Sequence, residues 1–140
     1  MDVPEGFAPI FRSSPFLEAV GPLFSKGQGP QLVIGLRATE KHCNARGTVH
    51  GGLLATLCDV ALGYAMAFSS EPPLSLTTTG LTITYFGAAK LGDWVESRVS
   101  IDRVGSRLAF ASCNLSVSDK RIVHAVGIYA VAGPLPSDTK

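Results

Sequence analysis

The stretch His50-Gly51-Gly52-Leu53-Leu54-Ala55-Thr56-Leu57-Cys58-Asp59-Val60-Ala61-Leu62-Gly63-Tyr64-Ala65-Met66-Ala67-Phe68 decides the fold. Leucine, alanine and methionine dominate it, and these are good helix formers. Apolar residues fall on all sides of the expected helix, whereas a surface helix shows a polar face. In a water-soluble protein that pattern describes a central helix covered nearly all round. Asp59 is its only charge. The apolar part, Leu53 to Phe68, is interrupted by Asp59 and falls short of the ~20 residues a membrane span needs.

Strand-like segments lie on both sides of this helix. Downstream of Glu71-Pro72-Pro73, Leu81, Ile83 and Tyr85 alternate with Thr82 and Thr84. Trp94 to Ile101 follows, then Leu108 to Val117, with Ala109, Ala111, Cys113, Leu115 and Val117 on one face, then Arg121 to Val131. Gly92-Asp93, Val104-Gly105-Ser106 and Ser118-Asp119-Lys120 sit at the joins, where hairpin turns are expected. Upstream, Gln31 to Thr39 reads as a first strand and polar Glu40 to Thr48 as a loop. Ser14-Pro15 reads as a cap and first residue of a short helix through Phe16, Leu17 and Val20, ended by Gly21-Pro22. Gly27-Gln28-Gly29-Pro30 is a turn. The order is strand, long helix, four antiparallel strands. An α+β fold with an antiparallel sheet wrapped around one helix satisfies it with a single core. The expected division is an N-terminal segment with its short helix over 1–30, one domain over 31–133 and a tail over 134–140.

The chain has 140 residues, 46% hydrophobic and 16% charged, with a net charge of +1. That length fits one domain with a substantial core. The charge balance offers no basic stripe for nucleic acid or a membrane surface. Residues Met1 to Pro15 have no apolar run and do not read as a signal peptide. The cysteines, Cys43, Cys58 and Cys113, are odd in number and without close pairing. They are expected as reduced thiols in a cytoplasmic protein.

The candidate chemistry lies in Asn44-Ala45-Arg46-Gly47-Thr48-Val49-His50-Gly51-Gly52, followed by Asp59. Glycines at a helix start let a ligand approach the backbone closely. The first helical N–H groups have no intrahelical partner and carry the positive end of the helix dipole. Such a place can hold a carbonyl oxygen as it becomes an oxyanion, although Gly51-Gly52 can equally serve tight packing. A carboxylate in an apolar helix is costly to bury unless it is paired or hydrogen-bonded. Asp59 is therefore either a structural pair with an arginine or hydroxyl, or a general base or nucleophile.

Eight positions separate Gly51 from Asp59, about 12 Å of rise. An aspartate side chain cannot span that distance. If both serve one reaction they come from different copies of the chain, arranged with two helices antiparallel about a two-fold axis. His50 can orient the Gly51 peptide or donate to a carbonyl, and Asn44 can hold a water; each can also be an ordinary loop or cap residue. His42, Cys43 and His50 match no closed zinc pattern, so no metal is expected. His124 reads as a partly buried strand histidine and Cys58 as core.

His50-Gly51-Gly52-Leu53-Leu54-Ala55-Thr56-Leu57-Cys58-Asp59, with Asn44 upstream and Leu81-Thr82-Ile83-Thr84-Tyr85-Phe86-Gly87-Ala88-Ala89-Lys90-Leu91-Gly92 downstream, resembles the hotdog thioesterases of the phenylacetic-acid-degradation type. The related 4-hydroxybenzoyl-CoA and mammalian acyl-CoA thioesterases belong to the same group. The resemblance spans about Gln31 to Val131. It implies a helix wrapped by an antiparallel sheet, homodimers that usually associate into homotetramers, and an acyl-CoA substrate whose CoA is the leaving group, with no other cofactor. By position it makes Gly51 the oxyanion-hole N–H, with Gly52 beside the substrate, and Asp59 of the facing subunit the base or nucleophile. Asn44 and His50 would position thioester and water. Thr78 falls where relatives carry a serine or threonine that hydrogen-bonds the water or the acid. One departure is Gly87-Ala88-Ala89-Lys90, where relatives often have a proline before the turn. Lys90, Arg103 and Arg107, beside turns, read as solvated. The alternatives are a non-catalytic acyl-CoA-binding hotdog protein and, on the same fold, a hydratase or dehydratase. The Pro-Gly-His loop of the latter is absent from the sequence, and a binding protein gains nothing from Asp59.

Overall fold

The computed structural model describes residues 1–136, so the expected tail lies outside the described residues from 137 onward. The elements run β1 (Ala8–Pro9), α1 (Pro15–Val20), β2 (Phe24–Lys26), β3 (Val33–Arg37), α2 (Gly51–Ala67), β4 (Leu74–Tyr85), β5 (Trp94–Val104), β6 (Leu108–Val117) and β7 (Lys120–Pro134). Ser14 caps α1 by accepting from Leu17 N–H at 3.3 Å, with Pro15 at the first helical position. At the β6–β7 turn Ser118 and Asp119 both have positive φ, 48° and 66°. Two such residues make the hairpin turn whose twist matches the flanking strands.

One seven-stranded sheet has the order β1-β2-β3-β5-β6-β7-β4, and each pairing is antiparallel. Wrapped around α2, it is the hotdog architecture. Two features differ from expectation. The N-terminal segment, expected to contribute a short helix, also contributes the short strands β1 and β2, which extend the sheet beyond β3. β4 pairs with β7 and not with β5, so Gly92-Asp93 is no hairpin turn. It ends a crossover pinned by Phe86 N–H and Gly87 N–H on Ile122 O, Val49 N–H on Ala89 O, and Leu91 N–H on Gly47 O.

The core lies between α2 and the concave face of the sheet. Leu57, Leu62 and Met66 from the helix meet Leu36, Val95, Leu115, Val123 and Tyr129 from the strands, all essentially solvent-free. Burying each large apolar side chain contributes about 1.5–3 kcal/mol. The helix is not covered all round, however. Gly52, Ala55, Thr56, Asp59 and Gly63 form a strip, at helical spacing, that the chain itself leaves partly open. Glycine and alanine make up most of this strip, and their presence alone does not mark a helix face as covered or bare. The strip carries the one acid.

Candidate active site

Asp59 sits midway along α2 on the open strip. Its Oδ1 accepts from Thr78 Oγ1 at 2.7 Å and from the Tyr129 hydroxyl at 2.8 Å, and that hydroxyl also lies 3.0 Å from the Asp59 carbonyl. No described residue donates to Oδ2, and no arginine or lysine among the described residues pairs with the carboxylate. Asp59 therefore has hydroxyl partners on one oxygen only. It opens on a cleft of about 310 Å³ that also includes Arg12, Val60, Gly63, Tyr64, Phe68, Leu76, Thr78 and Tyr129.

The strand geometry explains both clamps. Leu81 and Ile83 face the core, so unbroken alternation would turn Thr79 inward and Thr78 outward. A register shift between Thr78 and Gly80 resets the frame. Such a bulge re-aims side chains. Thr78 thereby reaches Asp59, while Thr79 Oγ1 donates to Ile128 O at 3.0 Å. Tyr129, 2% exposed, reaches Asp59 because Gly127, two residues earlier on the same face, leaves room for its ring. A Cβ at Gly127 would lie 2.7 Å from Tyr129 Cε1 and 2.9 Å from Leu62 Cδ1. Burial, and then the Asp59 charge, push the Tyr129 phenol well above its usual pKa. The hydroxyl stays a donor.

The start of α2 forms the second cluster. His50 O accepts from Leu53 N–H at 3.1 Å and Leu54 N–H at 3.2 Å, and no described carbonyl accepts from Gly51 or Gly52 N–H. Tyr85 OH donates to Gly51 O at 2.6 Å, laying its ring over the helix start. The His50 imidazole makes no hydrogen bond among the described residues and is exposed. Asn44 organises the loop: Oδ1 accepts from Arg46 N–H at 2.9 Å and Thr48 N–H at 3.2 Å, while Nδ2 donates to Thr48 Oγ1 at 2.8 Å. The structure brings Thr78 to Asp59, and Asn44 and His50 into the loop leading to Gly51 and Gly52. Eight helix positions separate the two groups within the chain, about 12 Å of rise.

The neighbouring histidines and cysteines have structural partners. His42 Nδ1 accepts from Thr39 N–H at 2.9 Å, leaving Nε2 to donate to Val20 O at 2.6 Å. His124 Nδ1 meets Asn114 Oδ1 across the β6–β7 pair at 2.8 Å. Cys58 is buried on the inner face, and its contact with Cys113, then burial, push its thiol far up. Tyr129 and Tyr85 were missed in the sequence. The available signal was that a buried tyrosine needs a partner for its hydroxyl.

The sequence pattern of the thioesterase superfamily matches residues 46–124. The chain belongs to the thioesterase superfamily. The match holds Gly51, Asp59 and Thr78, while Asn44 and Tyr129 fall just outside it. This thioesterase is 52% identical over 130 residues to a candidate esterase of Pseudomonas aeruginosa, covering 92% of the chain and 97% of that relative. Mouse acyl-coenzyme A thioesterase 13 is 35% identical over 86 residues, 61% of either chain. Zebrafish thioesterase superfamily member 2 superposes with a TM-score of 0.73 at 27% identity, covering 79% of this chain and 81% of that one. As a thioester hydrolase, the chain needs a site for a carbonyl and a way to activate water. No helix among the described residues is long and apolar enough to cross a membrane.

Proposed function

We propose that this thioesterase hydrolyses acyl-CoA thioesters to the free acid and CoA, at sites each built from two copies of the chain. The observation that carries the proposal is the one-sided hold on Asp59. Two hydroxyls hold Oδ1 and leave Oδ2 without a donor among the described residues, on a carboxylate that lines a cleft, as suits a general base. In this reading water attacks the thioester carbonyl carbon while Asp59 takes its proton. The oxyanion is held by the partner's Gly51 N–H, with the partner's Gly52 beside the substrate and the partner's His50 and Asn44 ordering the thioester and its loop. Collapse breaks the C–S bond, and the departing thiolate takes the proton from Asp59. Thiolate leaves readily, so a positioned water and an oxyanion site suffice, with no metal or further cofactor. The similarity to an acyl-coenzyme A thioesterase supports CoA as the leaving group.

With Gly51 and Asp59 serving one reaction, the distance along α2 calls for a homodimer at minimum, and two further features support it. β4 is the outermost strand beside β7, twelve residues long, and Leu74–Tyr85 contains no charge and no proline. Exposed sheet edges are ordinarily guarded by such residues, so this edge suits pairing with a second copy. The open strip on α2 suits the same contact. Largely buried, unpaired Cys58 and Cys113 fit a reducing cytoplasm.

The test follows free thiol from a panel of aryl- and fatty-acyl-CoAs with wild type, Asp59→Ala and Asp59→Asn. Either substitution should lower kcat on the order of 100-fold or more, as for loss of a general base. Equal activity in all three proteins removes Asp59 from the mechanism. Wild type that binds acyl-CoA without releasing thiol is a binding protein instead.

A further inference from the structure

The cleft beside Asp59 contains a second charge. Arg12, in the turn before α1, is half-buried and lines the same cavity. Among the described residues it has no carboxylate partner. Its guanidinium lies beside the Tyr64 side chain, and the Tyr64 hydroxyl lies 3.4 Å from the Arg12 carbonyl, tying the turn to α2. Tyr64 in turn packs against Phe11 and Phe68, with ring centroids 5.6 Å and 6.1 Å away. The turn that carries Arg12 is thus tied to α2. The same cleft is lined by apolar Val60, Ala67, Leu74 and Leu76 together with polar Ser75 and Thr78.

We infer that the favoured acyl group carries an anionic carboxylate at the end remote from the thioester, and that Arg12 receives it. This inference rests on the thioesterase reading of the cleft and narrows its substrate class. Tyr64 lies five residues beyond Asp59, about 7.5 Å along the helix. An acyl chain of about six carbons is of comparable length to that rise, so this length is the one to test. A cleft of about 310 Å³ is near the lower bound for small-molecule sites, which suits a short acyl group more than a long fatty chain. An arginine fork matches a carboxylate bidentately, whereas a methyl end leaves the half-buried cation without a counter-charge.

The experiment compares adipyl-CoA with hexanoyl-CoA, equal in carbon count and different only at the far end, by thiol release. Wild type should favour adipyl-CoA in kcat/KM on the order of tenfold or more. Arg12→Gln should collapse that ratio toward one, and Arg12→Lys should retain part of it. Circular dichroism of both variants checks folding; the Arg12 carbonyl beside the Tyr64 hydroxyl is preserved in both. Preference for hexanoyl-CoA in wild type overturns the inference. So does an equal KM rise for both substrates in Arg12→Gln, which would assign Arg12 to the CoA phosphates. Failure of the thioesterase reading looks different: no thiol release from either substrate, or no effect of Asp59→Asn.

Discussion

The Tyr129 hydroxyl lies 2.8 Å from Asp59 Oδ1 and 3.0 Å from the Asp59 carbonyl, so one buried phenol contacts both the side chain and the backbone of the same residue. It fixes the carboxylate relative to the helix axis, a task Thr78 alone, bound only to Oδ1, does less well. Tyr129→Phe keeps the ring in its slot and removes both contacts. A hydrogen bond to a charged group contributes about 1.5–3 kcal/mol, so kcat should fall about 10- to 100-fold. KM should hold, because Tyr129 orients the acid without gripping the acyl chain. Thr78→Val should act similarly, and the double variant should lose less than the product of the two, since both act on one oxygen. Steady-state kinetics of the three proteins is the check.

The same phenol gives a pH signature. Burial, then the Asp59 charge, hold its folded pKa above the ordinary value of about 10. Between the unfolded and the folded pKa, the native state binds more protons than the unfolded one. The stabilisation is complete below about pH 10 and declines as pH climbs toward the folded value. Tyr129→Phe should therefore lose less Tm than wild type between pH 9 and pH 11. Tyr64 and Tyr85, also raised chiefly by burial, contribute to both proteins and leave the difference to Tyr129.

Gly51 can be stripped of its N–H with little harm to the helix. It is the first residue of α2, and His50 before it has φ −59° and ψ 137°, a conformation a residue preceding proline adopts. Proline is favoured at that first position. Gly51→Pro should fold with Tyr85 easing aside, and lower kcat about 100- to 1,000-fold, the range for loss of an oxyanion donor. Gly51→Ala, which keeps the N–H, should lose far less. If sites are shared across a two-fold axis, a dissociated and reassociated equal mixture of Gly51→Pro and Asp59→Asn regains about a quarter of wild-type activity, because each mixed dimer contains one intact site. Two inactive proteins that stay inactive after verified exchange would count against shared sites.

Gly35 predicts a stability effect remote from the chemistry. A Cβ there would overlap the Trp94 ring. That ring has little freedom to retreat: Phe7 and Phe24 pack against it at centroid distances of 5.0 and 5.9 Å, Arg37 lies 5.3 Å from its centre, and Nε1 donates to Glu96. Gly35→Ala should cost about 1–3 kcal/mol, the usual penalty of overpacking. Urea unfolding followed by Trp94 fluorescence, the only tryptophan in the chain, measures it.

The helix and its acid were legible in the sequence because a lone charge in a long apolar segment is a local signal. The strands from Trp94 onward were legible by alternation. The placing of β4 beside β7 was not, since neighbouring strands in sequence usually pair and the crossover is held by contacts such as Phe86 and Gly87 on Ile122 O. Thr78 could be singled out only by resemblance, because three adjacent threonines hide a bulge that decides which one faces inward. Tyr129 and Tyr85 bond groups 70 and 34 residues away, so no local pattern marks them. The open strip on α2 was hidden because glycine and alanine look alike whether covered or bare.

Both residues that steady Asp59 ride on β4 and β7, the last two strands of the sheet, while its own helix is rooted in the core. Sheet margins fray before centres do. Gentle warming or dilute denaturant thus disarms turnover while the helix and inner strands remain intact, and whatever seals that margin sets the temperature at which catalysis fails.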